Sequence, residues 1–146
     1  MDDKRTDEEN SKRFRNRKMK FVLRRKKHFS QSGFLAELVS SKYRDEPFKI
    51  HSYLVKINAN FTRAEHYHKS KKEWITPLFG KALLKMKNIK TKRRKKYLLD
   101  ARNREQKIIY IPPYWAHSIK AVNSDSGILV FSLTPENKQD TIPYKI

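Results

Sequence analysis

The sequence predicts an all-β domain of the sandwich or barrel kind, and three observations predict it. From Phe29 onward, short apolar runs follow one another, separated by polar turns. No stretch sustains the apolar period of a long helix. No internal repeat is present.

Taken in order, the runs are GFLAELV (33–39), FKIHSYLVKI (48–57), EWITPLF (73–79), KALLKMK (81–87), KYLLD (96–100), KIIYI (107–111), HSIKAV (117–122) and GILVFSL (127–133). Each is short enough for one strand and is bounded by polar or turn-forming residues. Phe34 and Leu38 in the first, Tyr53 and Val55 in the second, and Trp74, Ile75 and Leu78 in the third read as core. So do Leu83, Ile109, Ile111, Val130 and Phe131 further on. Between two of the runs, KNIKTKRRKKY (87–97) reads as an exposed hairpin or loop whose charges project into water.

A length of 146 residues suits one domain with a genuine core plus a tail. Residues 1–28 are charged and lack an apolar period, and they read as a basic arm, mobile or helical, ahead of a domain over 29–146. Within that arm KMKFVLRRKK fits either a short strand or a helix. No run reaches the roughly 18 to 20 apolar residues of a membrane span, and MDDKRTDEEN is not a secretory signal, so the expectation is a soluble, cytoplasmic protein. With no cysteine, disulfides and thiolate ligands are excluded, and any metal must be held by imidazole and carboxylate.

The formal net charge is +20 and unevenly spread. Residues 1–28 hold 12 Lys/Arg against 5 Asp/Glu, and residues 81–107 hold 12 against 2. Such blocks attract nucleic acid, anionic surfaces or phosphorylated ligands, or simply keep a face solvated. Nucleic-acid modules interleave aromatics with their cations, and KTKRRKK has none, which ranks that partner second.

The chemistry concentrates in EHYHKSKKEWITPLFGK (65–81). On a strand His66 and His68 point the same way and Tyr67 the other. The stretch KSKK is long enough to turn the chain, which lets Glu73 enter beside them, and IPPYWAHSIKAVN supplies His117 after a rigid double proline. His28 and His51 stand outside this set and read as ordinary polar residues.

This pattern resembles the cupin superfamily: HxH, four residues, Glu, six residues, Gly, then a proline-containing turn leading to His. Here those positions are His66, His68, Glu73 and Gly80, then Pro112, Pro113 and His117. SGFLAELVSSKY, SYLVKINANFTRAEHYHKSKKEW and the stretch from Ile111 to Ile146 are further similar to the C-terminal cupin domain of bifunctional UDP-sugar epimerase/reductases of capsular polysaccharide synthesis. They are more distantly similar to dTDP-4-dehydrorhamnose 3,5-epimerases and dTDP-sugar ketoisomerases.

The resemblance implies a double-stranded β-helix (jelly roll), a divalent metal on His66, His68, Glu73 and His117, and a homodimer. Zinc leads among the metals that suit this set, ahead of iron, manganese, nickel and cobalt. It also implies epimerisation or isomerisation of a UDP- or dTDP-linked 4-keto-6-deoxyhexose. For the base, Lys69, Tyr114 and a metal-bound hydroxide are the candidates. Arg63 suits a diphosphate or a surface salt bridge, Glu37 faces the pocket in one strand register only, and Trp115 with Tyr114 suits a hydrophobic rim. Two other functions remain open: a non-catalytic cupin that binds a sugar or polyanion, and a metal-dependent dioxygenase. The relatives carry glycine where this chain has Ala64 and Tyr114, positions at which glycine permits positive φ or a close approach.

Overall fold

The computed structural model describes residues 21–31, 33–35, 50–134 and 137–146. In chain order the strands are β1 (Val22–Lys26), β2 (His28–Ser30), β3 (Gly33–Leu35), β4 (His51–Ile57), β5 (Thr62–Tyr67) and β6 (Glu73–Phe79). They continue with β7 (Lys81–Asn88), β8 (Arg94–Asp100), β9 (Glu105–Ile111), β10 (Trp115–Ala121), β11 (Ser126–Ser132) and β12 (Ile142–Pro143). One 3-10 turn, Lys138–Asp140, precedes β12. No helix among the described residues is long and apolar enough to cross a membrane.

Ten of these strands form two five-stranded antiparallel sheets, ordered β1-β9-β6-β11-β4 and β12-β5-β10-β7-β8. Their inner faces enclose one core, with Ile57, Ile75, Ile109 and Val130 from the first sheet meeting Leu84, Met86, Leu99 and Ile119 from the second. This is the jelly-roll barrel that the cupin resemblance implies. β2 and β3 make a separate two-stranded ribbon.

Strand alternation decides which expected core residues are internal. Ile75, Ile109, Ile111 and Val130 are in the core, with Tyr53 and Val55 packed half-buried against it. Trp74 and Phe131 are not, because Glu73 and Ile75 on one strand and Val130 on the other already occupy the inward positions. Trp74 instead stacks on Tyr110 outside the barrel, ring centroids 5.0 Å apart. Leu83 likewise faces out between Ala82 and Leu84, and Leu78 is 49% exposed beside a register shift in the β6–β11 pairing. Leu38 lies outside the described residues, and Phe34 sits on β3 opposite Phe29.

Val22–Lys26, from the segment expected as an arm, is a strand: it pairs with β9 and buries Leu23 opposite Ile108. Buried Lys27 fastens it further, donating to the carbonyls of Ala101 at 2.8 Å and Asn103 at 2.6 Å. Residues 1–20 lie outside the described residues.

Gly80 shows why one of the chain's few glycines stands at the end of the first motif. It joins β6 to β7 at φ +73°, and a Cβ there would lie 2.3 Å from the carbonyl oxygen of Asp125. Both the backbone conformation and the space exclude a side chain.

Candidate metal centre

β5 and β10 lie side by side, and their register sets His66 directly opposite His117. Cross-strand partners share a face, so both imidazoles enter the barrel. A bulge just before this pair inserts Glu65 as an extra residue: the register passes from His117–His66 to Ser118–Ala64. Ala64 and Glu65 accomplish this at φ +71° and +56°. A left-handed backbone, which glycine takes most readily, is formed here with an alanine.

His68 follows one residue beyond β5, and Glu73 opens β6. His68, Glu73 and His117 are buried and His66 half-buried, and the four ligand atoms lie within 4.8 Å of one another. The His66 ring centroid is 4.8 Å from those of both His68 and His117.

A second layer orients the rings. Nδ1 of His68 contacts the carbonyl oxygen of Asp140 at 2.7 Å, and Nδ1 of His117 that of Trp115 at 3.0 Å. A carbonyl only accepts, so each Nδ1 carries the hydrogen and each Nε2 is left for the centre. Asp140 also anchors the turn between the ligands. Its carboxylate accepts from the backbone N–H of Lys69 at 2.8 Å, Lys71 at 3.0 Å and Ser70 at 3.2 Å.

Inside the cluster, Nε2 of His68 and Oε1 of Glu73 stand 2.5 Å apart. Both atoms are fully buried, and neither completes a hydrogen bond. In the neutral ring, with its hydrogen on Nδ1, two lone pairs would face each other. The arrangement therefore calls for a cation between them, either a proton on His68 or a metal ion.

The ionisation shifts agree in direction. Burial pushes the Glu73 carboxyl up, but the His68 contact and the nearby His117 and Lys71 charges outweigh it and hold it at about 2. Burial pushes His68 down, and Glu73 and the Asp140 carbonyl reverse this to a net rise. His117 is lowered, chiefly by burial. Three imidazole nitrogens and one carboxylate oxygen form a donor set that suits zinc and the other mid-series divalent metals.

The remaining candidates fall in different places. Arg63 pairs with Ile119, shares the inward face of β5 with His66 and remains exposed. Lys69 is exposed in the turn. Tyr114 takes φ +65°, and its ring stacks on Tyr67, the residue turned away from the histidines. Trp115 does not form a rim: it precedes His117 by two residues, so it faces the barrel interior, where it is 5% exposed and packs edge-on against Phe21. Glu37 lies outside the described residues.

Two residues at the cluster escape the sequence reading. Lys71 is buried at 4% exposure and donates to the Tyr53 hydroxyl at 3.1 Å, which in turn donates to Oε2 of Glu73 at 3.4 Å. Lys71 lies in the turn two residues ahead of β6, where strand alternation gives no signal. No local signal marks Tyr53, which arrives from β4.

A family model described as the polysaccharide biosynthesis C-terminal domain matches residues 28–142. No curated protein matches the chain in sequence. Among solved structures, capsular polysaccharide assembling protein CapF from Staphylococcus aureus is similar at TM-score 0.62 and 14% identity, over 84% of this chain and 33% of that one. This chain thus spans about a third of CapF. The sugar 3,4-ketoisomerase QdtA from Thermoanaerobacterium thermosaccharolyticum, in complex with TDP, matches at TM-score 0.69 and 20% identity over 83% and 85% of the two chains. The dTDP-4-dehydrorhamnose 3,5-epimerase of Bacillus anthracis, with TDP and pyrophosphate bound, gives 0.71 and 15% over 82% and 75%.

Proposed function

Because the chain belongs to the polysaccharide biosynthesis C-terminal domain family and folds as a cupin, we propose that it is a metal-holding epimerase or isomerase of a nucleotide-linked 4-keto-6-deoxy sugar. The observation that carries this reading is the buried convergence of His66, His68, Glu73 and His117, with Nε2 of His68 and Oε1 of Glu73 facing each other and neither completing a hydrogen bond. A divalent ion, when bound, supplies Lewis acidity that polarises a ketone and stabilises the enolate formed beside it.

The chain's own residues supply the rest. Arg63 offers an exposed guanidinium on the inward face of β5, suited to bidentate contact with a diphosphate. Tyr53 and Lys71 form a hydrogen-bonded pair beside Glu73 and are the groups placed to hold or pass the proton of an epimerisation. Lys69, exposed in the turn between His68 and Glu73, remains a further candidate for the base. A homodimer accompanies the reading on the strength of the resemblance alone.

The test has two parts. Metal analysis of untagged protein is expected to find about one divalent ion per chain, and His68→Ala to lose it, because a vacated ligand position is refilled poorly by water. With a UDP-4-keto-6-deoxyhexose in heavy water, deuterium is expected to enter sugar C3. Metal without exchange would leave a sugar-binding cupin, and oxygen consumption with ferrous iron would point to a dioxygenase. Absence of metal from both proteins would end the reading.

A further inference from the structure

The outer face of the barrel gathers what the sequence keeps apart. Tyr67 projects outward from β5, Tyr114 stands in the turn before β10, and Tyr144 follows β12. The Tyr67 ring centroid is 6.4 Å from that of Tyr114, with planes 27° apart, and 6.1 Å from that of Tyr144. Against this trio lies the basic β7–β8 hairpin. Nζ of Lys90 sits 3.7 Å from the Tyr114 ring centroid and Nζ of Lys87 5.7 Å from that of Tyr144. Lys92, Arg93 and Arg94 continue the run, all exposed. Among the described residues none of these five cations has an ion pair. Their field reaches one of the rings: a hydrogen bond from Lys87, with the charges of Lys87, Lys92 and Arg94, pulls the Tyr144 phenol below its ordinary pKa.

We propose that this surface, formed by Tyr67, Tyr114, Tyr144 and the cations of Lys87–Arg94, binds single-stranded nucleic acid. Cations this close together in sequence suit a ligand charged at every unit, as a phosphodiester chain is. Ring faces beside those cations suit unpaired bases, whereas a duplex keeps its bases stacked and out of reach. The lysines now over Tyr114 and Tyr144 are placed to move onto phosphates and free the ring faces. Alternation along β5 turns Tyr67 away from His66 and His68, so this surface is separate from the metal cluster.

The experiment follows the full chain by anisotropy with a labelled oligothymidylate and a labelled oligouridylate across a salt series. Wild-type log affinity is expected to fall linearly with log salt. The triple variant Lys90→Gln/Lys92→Gln/Arg94→Gln is expected to flatten that slope by about 2, at roughly 0.7 per lost phosphate contact. Tyr144→Leu is expected to weaken binding about 5- to 160-fold at unchanged slope, the range for one stacked base. A triple variant with wild-type slope and affinity would place the charge elsewhere and overturn the proposal. Alginate competing as well as oligonucleotide at equal charge would do the same, reducing the surface to a general polyanion binder. The triple variant changes only exposed side chains, so it decides the matter even if Tyr144→Leu fails to fold.

Discussion

Asp140→Ala tests the architecture around the metal cluster without touching a ligand. The Asp140 carboxylate takes hydrogen bonds from three successive backbone N–H groups, at 2.8 Å, 3.2 Å and 3.0 Å, and so fixes the turn that carries the chain from His68 to Glu73. A net intramolecular hydrogen bond is worth about 0.5–1.5 kcal/mol, and the bonds from Lys69 and Ser70 are exposed, which favours the low end. The loss should come to about 1.5–2 kcal/mol, read as a lowered urea midpoint with the m-value unchanged. The main-chain carbonyl that orients His68 survives the substitution, but its position depends on the same clamp. Outer-layer partners of metal-binding histidines typically contribute 10- to 100-fold in affinity, so zinc binding, measured by competition with a chromophoric chelator, should weaken by about that factor. Asp140→Asn keeps one acceptor oxygen and should fall about midway. If Asp140→Ala stayed within about 0.5 kcal/mol of wild type and bound zinc equally well, the turn would not be held as described.

Three further outcomes follow from named contacts. Gly80→Ala forces a Cβ to 2.3 Å from the Asp125 carbonyl oxygen at φ +73° and should destabilise by about 2–4 kcal/mol in chemical denaturation; a neutral result would contradict the tight β6–β7 turn. Ala64→Gly should do the opposite. Relief of a left-handed alanine at φ +71°, about 1–2 kcal/mol, exceeds the added unfolded-state entropy of glycine, about 0.5–1 kcal/mol, so the urea midpoint should rise. The pH dependence of the metal-free protein should isolate Glu73. Its folded pKa of about 2 lies below its ordinary value, so its contribution is present above that value and lost as pH falls through the folded one. The stability difference between wild type and Glu73→Gln should therefore shrink from pH 5 to pH 2, and a difference constant over that range would refute the shift.

Ala64 and Tyr114 bear on how a chain holds positive φ without glycine. Both positions hold the positive φ that glycine ordinarily supplies, at +71° and +65°. The bulge at Ala64 is what lets His66 meet His117 across the β5–β10 pair. The strain stored at these positions, about 1–3 kcal/mol each, is offset by the packing around them. At Tyr114 the compensation is visible: its ring gains Tyr67 on one side and the Lys90 ammonium on the other.

The all-β class can be read along the chain, because short apolar runs and turn residues are local signals, as is the motif spacing from His66 to Gly80. The sequence also limited any metal site to nitrogen and oxygen ligands by lacking cysteine. Sidedness was less legible. Trp74 and Phe131 are as apolar as their neighbours, and only the pairing register turned them outward while placing Ile75 and Val130 within. Trp115 moved from an expected rim to the core for the same reason. The contributions of Tyr53, Lys71 and Asp140, and the meeting of three tyrosines with the β7–β8 cations, were decided by tertiary structure alone. They join segments up to 77 residues apart, from Tyr67 to Tyr144. Hydrophobic period reports which face a residue takes on its own strand, whereas contacts between strands depend on sheet order and closure, which no local pattern encodes.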